Sequence, residues 1–296
     1  MKGENMVLKD SKAAVLFISG QSNAHGHAQI LEEKDRITVP MKNVFSLDRN
    51  PNQSFDIADV VWSGFTGEGK NLGEIQDHTA CFAYYFAKMW QNAIDAGAAL
   101  PDLYIVQISI GGEGILNGMW NPDKEKIMVP GKLGTADISL YPWALQVNRL
   151  VMSNLEKNKK DPVVIGWHWL GSEQDIREGG YDRKDLLQRY DAFFDAMLGS
   201  VGAPCPLYLY KIYLQGFCQV QKISDAGIPV INAALERQVT RHKNVVFIDP
   251  RQCPGWDDAD PCKGVFWRDK AHYLGKTQEW FAERFFEEIY GKFSDG

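Results

Sequence analysis

Hydrophobic residues along the chain fall into short continuous runs separated by stretches of helical period. "AAVLFIS" (13–19), "DLYIVQISI" (102–110), "DPVVIGWHWL" (161–170), "PLYLYKIYL" (206–214) and "NVVFIDP" (244–250) are each rich in β-branched or aromatic residues and bounded by Gly, Pro, Asp or Asn. Such runs predict strands, and near-continuous hydrophobicity suits strands covered on both faces. Between them, Phe82, Tyr85, Phe86, Met89 and Ala93 recur at three- and four-residue steps, as do Leu186, Tyr190, Phe193 and Met197 behind Asp182, a predicted N-cap. A further helix is expected over about 228–242, and a last one carries Trp280, Phe281, Phe285 and Ile289 on one side. Alternating strands and helices predict an α/β fold: a three-layer α/β/α sandwich around a flavodoxin-like parallel sheet of five strands.

Two stretches break this rhythm. Residues 27–75 and 111–137 are irregular and rich in glycine and proline, among them Pro51, Gly67, Gly118, Pro130, Gly131 and Gly134. Both follow a predicted strand, at the edge where open α/β sheets bind ligands, so they are expected to be active-site loops. No linker or repeat divides the chain, which is read as one domain over 1–296.

Composition narrows the function without naming it. The 296 residues are 45% hydrophobic and 24% charged, ordinary for a globular protein with a sizeable core. Thirty-two basic against 38 acidic residues give a formal net charge of −6 with no basic block, which argues against a nucleic-acid partner. No apolar run is long enough to span a bilayer, so no membrane partner is expected. The opening "MKGENMVLKDSK" is too polar for a secretory signal, which points to the cytoplasm or to a leader already removed. Oligomeric state is not readable. The five cysteines form no C-x-x-C; they are read as free thiols, with Cys253 and Cys262 able to pair only in an oxidising compartment. Asp257, Asp258 and Asp260 cluster but lack the pattern of a calcium loop, and no metal or other cofactor is expected.

The residues with candidate chemistry sit at strand ends. "FISGQSNAHGHAQ" (17–29) stops a strand at Ser22, which is either a turn residue or a nucleophile. A serine needs a base to take its proton. "FWRDKAHYLG" offers Asp269 and His272, a spacing that lets a carboxylate reach Nδ1–H and leaves Nε2 for the serine, though D-x-x-H also serves as a plain cap. "SIGGEGI" (109–115) can turn backbone N–H groups into a cleft, as an oxyanion hole, a tight turn or a phosphate loop. "WHWLGSEQD" (167–175) brings Glu173 and Asp175 to another strand end, where they can act, cap the loop or pair with Arg177. His25, His27 and Trp120 fall close enough to these turns to line a cleft, and Trp62 and Trp256 lie in loops where aromatic faces stack on sugars or anchor the core.

Together these blocks resemble the SGNH (GDSL-like) hydrolases, in the branch of sialic acid O-acetylesterases and carbohydrate esterase family 6. Gly20-Gln21-Ser22-Asn23-Ala24-His25-Gly26 matches the opening G-Q-S-N-x-x-G of that branch, Gly111-Gly112-Glu113-Gly114-Ile115 its glycine turn, and Asp269 and His272 its closing D-x-x-H. The similarity runs from Val15 to His272, with the blocks in order. It implies Ser22 as nucleophile, His272 as general base and then acid, Asp269 as its orienting carboxylate, and Glu173 as a second support for the histidine. It implies an oxyanion hole from the N–H groups of Ser22 and Gly112. By their place beside these turns, Gln21, His25 and Trp120 are the expected substrate contacts. The implied reaction is removal of O-acetyl groups from carbohydrates, acetylated sialic acid or acetylated xylan fragments, through an acyl-enzyme.

One departure is visible. With Glu173 and Asp175 on the branch's E-x-D, the preceding Gln-Gly falls on Gly171 and Ser172. Either the glutamine near the oxyanion hole is missing or the loop has slipped by one residue from Trp167-His168, and Asn23 or a backbone N–H is the expected replacement. Two other readings stay open at this stage: a catalytically silent carbohydrate-binding module on the same fold, and a nucleotide-binding protein using the glycine turn, although G-x-x-x-x-G-K-[ST] and G-x-G-x-x-G are absent.

Overall fold

The computed structural model describes residues 12–49, 60–74, 76–123, 127–128, 137–138, 140–202 and 204–294. Pro51, Pro130, Gly131 and Gly134, and the polar opening as far as residue 11, lie outside the described residues.

The centre is strand β1 (Lys12–Gly20), whose residues from Ala13 onward are all buried. It pairs in parallel with β4 (Asp102–Ser109) on one side and β7 (Asp161–Leu170) on the other. Beyond β4 lie β2 (Val44–Leu47) and β3 (Trp62–Gly64); beyond β7 lie β8 (Leu207–Tyr210) and β9 (Val245–Ile248). The sheet therefore has seven strands, in the order β3-β2-β4-β1-β7-β8-β9, rather than the five expected. All neighbours are parallel except the β2–β3 pair. The two extra strands come from the stretch read as an irregular loop. Four and three residues are too few to show a period. A separate two-stranded pair, β5 (Ile127–Met128) and β6 (Asp137–Ile138), lies in the second long loop.

Alternation along the central strands divides the core into two layers. Val15, Phe17, Val106, Ile108, Trp167 and Trp169 face helices α3 (Leu140–Lys157), α5 (Leu186–Val201) and α7 (Gly227–Arg241). Ala14, Leu16, Ile18, Leu103, Ile105 and Ile165 face α2 (Phe82–Asp95) and α8 (Gly275–Ser294). The result is the expected α/β/α sandwich. Helix α3 was not anticipated, although Leu140, Trp143, Ala144, Val147, Val151 and Leu155 form a buried stripe at helical spacing. Helix α5 starts behind Asp185 rather than Asp182, which lies in a 3-10 turn. Strand β8 ends at Tyr210 because the chain then leaves the sheet towards the short helix α6 (Gln215–Gln221): Asn232 accepts from the N–H of Ile212 and donates to its carbonyl. All five cysteines are free thiols, Cys253 and Cys262 included. Among the described residues no helix is long and apolar enough to cross a membrane.

The end of β1 is fixed by a close approach. Gly20 has φ +140°, and a Cβ there would lie 2.1 Å from the carbonyl oxygen of Leu170 at the end of β7. That oxygen also accepts the N–H of Gln21 at 2.9 Å. No side chain fits. We expect Gly20→Ala to destabilise the fold by more than about 2 kcal/mol, read by urea denaturation; an unchanged midpoint would contradict this account of the strand end.

Candidate active site

Three loops leave the C-terminal ends of β1, β4 and β7, adjacent strands, and meet above the sheet. The first carries Ser22, which opens a four-residue helix, α1 (Ser22–His25), closed by Gly26 in the left-handed conformation. As the first residue of that helix, Ser22 has no acceptor four positions back within it for its N–H. The second loop carries Gly111 and Gly112. The third carries α4 (Glu173–Arg177). A fourth segment, just before α8, brings His272.

His272 Nε2 lies 2.8 Å from Ser22 Oγ, across 250 residues of sequence. Its Nδ1 lies 2.6 Å from Asp269 Oδ2. The other carboxylate oxygen of Asp269 accepts the N–H groups of Ala271 and His272 at 3.0 and 3.1 Å, so one side chain shapes the turn and orients the ring. Burial pushes the Asp269 carboxyl up, but the imidazole and the two N–H donors outweigh it and hold the group down at about 2. A carboxylate on Nδ1 selects the tautomer with its proton there and leaves the Nε2 lone pair facing the hydroxyl. This arrangement can draw the proton from Ser22 as its oxygen attacks an electrophile.

Asn23 locks the histidine segment to the serine helix. Its Nδ2 donates to Glu173 Oε1 at 2.8 Å and to the carbonyl of Ala271 at 3.2 Å, and its Oδ1 accepts the N–H of Tyr273 at 3.0 Å. Both amide hydrogens are thereby committed, so Asn23 is a positioning residue and not the third oxyanion donor expected from sequence. Glu173 is likewise corrected. Its carboxylate bonds Asn23 rather than the imidazole, and supports His272 through the segment Asn23 holds and through its charge. Burial raises the Glu173 carboxyl against the pull of the Asn23 amide, and its Oε2 is buried with no hydrogen-bond partner among the described residues.

Gly112 has φ +74° and lines the cleft, and no hydrogen bond among the described residues engages its N–H. The N–H of Gly111 instead bonds Glu74 Oε2 at 2.7 Å. The turn is anchored from beneath by Asp175, which is fully buried. Asp175 accepts the N–H groups of Ile115 and Leu116 at 3.2 and 2.8 Å and the hydroxyl of Tyr190 at 2.7 Å. It makes no pair with Arg177. Burial pushes its carboxyl up to about 6 although these three donors pull the other way. The group titrates near 3.8 when unfolded. Its folded value is raised, so its favourable contribution is complete below about pH 4 and is lost as pH rises through 6. We expect the stability of the parent relative to Asp175→Asn to fall by about 2 kcal/mol between pH 4 and 7, measured by denaturant titration at each pH. A gap that stays constant with pH would contradict it.

The cleft holds about 330 Å³ and is lined by Gln21, Ser22, Gly112 and His272, by Arg177, read from sequence only as a candidate ion-pair partner, and by residues that sequence reasoning left out: Glu74, Gln174, Leu214 and Phe217. His27, weighed from sequence but not chosen, is also a wall, its ring centroid 4.8 Å from that of His272. Gln174 follows Glu173 and sits across from Gly112, so an amide side chain does occupy this corner, displaced along the chain from the block that lacked it. Gln21 reaches the cleft but is mostly buried, its Oε1 accepting the N–H of Gln174.

Two predicted substrate contacts are overturned. Trp120 is fully buried: its Nε1 donates to the carbonyl of Gly20 at 3.1 Å and its ring packs edge-on to Trp169 and Phe193. It supports the floor of the strand end and walls no cleft. His25 is 1% exposed and bonds Ser109 Oγ at 3.2 Å, facing the core instead of the cleft mouth. The bond to Ser109 at the end of β4 holds the ring there, and the hydroxyl of Thr79 donates to the carbonyl of His25. His168 is an interior residue, bonded to the hydroxyl of Tyr210 and pushed by burial well below the usual imidazole range, so it stays neutral. Among the described residues no group of three or more His, Cys, Asp or Glu side chains is placed to hold a metal ion.

No family model matches the chain, and no curated protein matches it. Solved structures do. A protein from Arabidopsis thaliana aligns over 95% of this chain and 98% of its own, with a TM-score of 0.56 and 13% identity. NanS aligns over 97% of this chain and 99% of its own, with a TM-score of 0.61 and 15% identity. Likeness at such identity speaks to fold alone. The α/β/α architecture is shared from end to end with these two proteins.

Proposed function

We propose that the chain is a serine esterase that removes O-acetyl groups from carbohydrates through an acyl-enzyme. The observation that carries the reading is the contact of His272 Nε2 with Ser22 Oγ at 2.8 Å, with Asp269 on the far side of the ring. Ser22 Oγ attacks the ester carbonyl while His272 takes its proton. The N–H groups of Ser22 and Gly112 meet the developing oxyanion, where one lost donor typically costs about 3–4 kcal/mol. The tetrahedral intermediate collapses, and the sugar alkoxide leaves with the proton from His272. Water, deprotonated by the same imidazole, then releases acetate. No step needs a cofactor.

The sugar is supported by two things: the resemblance of the four blocks to carbohydrate O-acetylesterases, and a cleft in which the polar Gln21, Glu74, Gln174 and Arg177 stand beside the ring of Phe217. Acetylated sialic acid and acetylated xylan fragments are the substrates to test first. Acetate release from either is the expected result. A chain that turns over no acyl ester at all, chromogenic or natural, would overturn the reading.

A further inference from the structure

A second cavity, of about 580 Å³, lies beside the cleft and belongs to none of the chemistry above. The two are divided by the same two segments. Leu214 and Phe217 face the cleft while Gln215 and Gly216 face the second cavity, and Ala271 and His272 face the cleft while Lys270 faces the second cavity.

Its chemistry is that of a hydroxyl-rich ligand. Trp256 and Tyr213 stand 5.2 Å apart at 60°, and each is pinned by its polar edge: Trp256 Nε1 to Asp258 at 2.9 Å, Tyr213 hydroxyl to Asp249 at 2.9 Å. An aromatic held this way is a stacking surface with little freedom to lose on binding. Gln215 and Gln219 line the same cavity, exposed, and their side chains make no hydrogen bond among the described residues. Charge argues against an anionic occupant. Asp225, Asp258 and Asp260 outnumber Arg251 and Lys270 in the lining, and Arg251 is already paired with Asp249 at 2.7 Å. Carboxylates and amides beside a fixed indole suit neutral sugar hydroxyls.

We infer that this cavity binds neutral glycosyl units attached to the acylated sugar, with Trp256 as the stacking platform and Gln219 and Asp258 as hydroxyl partners. The inference rests on the esterase reading of the cleft and makes the substrate an oligosaccharide rather than a free sugar.

The test compares kcat/KM on acetylated xylose with that on acetylated xylotetraose. The parent gains on the longer substrate, Trp256→Ala loses about fivefold to tenfold of that gain, and both turn over p-nitrophenyl acetate alike. Gln219→Ala, an exposed change that leaves packing intact, loses about twofold to threefold. Trp256→Phe keeps part of the gain, which separates stacking from a folding defect. Calorimetry with unacetylated xylotetraose on the Ser22→Ala protein reads the site without catalysis. Glycan binding that Trp256→Ala abolishes, in a chain with no esterase activity, would overturn the proposed function and leave this subsite standing. Ester turnover with no length dependence and no glycan binding, or an equal gain in parent and Trp256→Ala, would overturn the subsite alone.

Discussion

Ser22→Ala and His272→Ala are each expected to lower kcat on an acetyl ester by about ten-thousandfold or more. The hydroxyl and the imidazole act on one proton, so removing either stops the same step. Without His272, Ser22 keeps its proton at neutral pH and is a weak nucleophile. Without Ser22, the imidazole has only water to activate, and water is not held in line with the carbonyl. The double variant should therefore be no worse than either single one, because groups that work as a unit do not add. A residual rate above background is expected from the oxyanion donors, which both variants keep. Ser22 and His272 are only partly buried, so both proteins should fold. Steady-state kinetics with p-nitrophenyl acetate, beside melting curves, checks this. Full activity in either variant would remove the proposed mechanism.

The second large effect concerns Asp269. Asp269→Asn is expected to lower kcat by about a thousandfold to ten-thousandfold near neutral pH, with KM little changed. The carboxylate accepts three hydrogens, one from Nδ1 and two from the turn. An amide can accept with one atom only. If its oxygen serves the turn, its NH2 faces Nδ1 and favours the tautomer with the proton on Nε2, aimed at Ser22. If its oxygen serves the imidazole, the NH2 meets two N–H donors and the turn opens. With its folded value held at about 2, below the usual 3.8, the carboxyl contributes stability above about pH 4 that is lost as pH falls through 2. An acid limb of the parent's activity above pH 4 would therefore have another source than Asp269. A pH–rate profile of parent and variant reads this. A variant within tenfold of the parent would show that Asp269 only caps the turn.

Much of this site was legible because its parts sit at strand ends. Gly20, Ser22 and Gly112 follow continuous apolar runs, and Asp269 and His272 precede an amphipathic helix, so each could be placed at the sheet's C-terminal edge before any coordinates. What the sequence could not supply was direction. Trp120 and His25 lie in the right loops, but one is drawn under the strand end by its bond to Gly20 and the other is held inward by its bond to Ser109. Glu74 and Arg177 carry no local signal, and only tertiary packing brings them to the cleft. Asn23 was visible as a residue but not as a bridge, because its partners Glu173 and Tyr273 lie 150 and 250 positions away. Strands β2 and β3 are too short to announce themselves, whereas the stripe of α3 was present and passed over beside the glycine-rich loop that precedes it.

The most direct measurement of the central claim is peptide mapping by mass spectrometry after a brief reaction with an organophosphonate ester, a serine-directed reagent. The account predicts one covalent adduct, on the Oγ of Ser22, formed far more slowly in His272→Ala and absent in Ser22→Ala. Labelling of another residue in an active protein, or an equal rate of labelling without the imidazole, would contradict it.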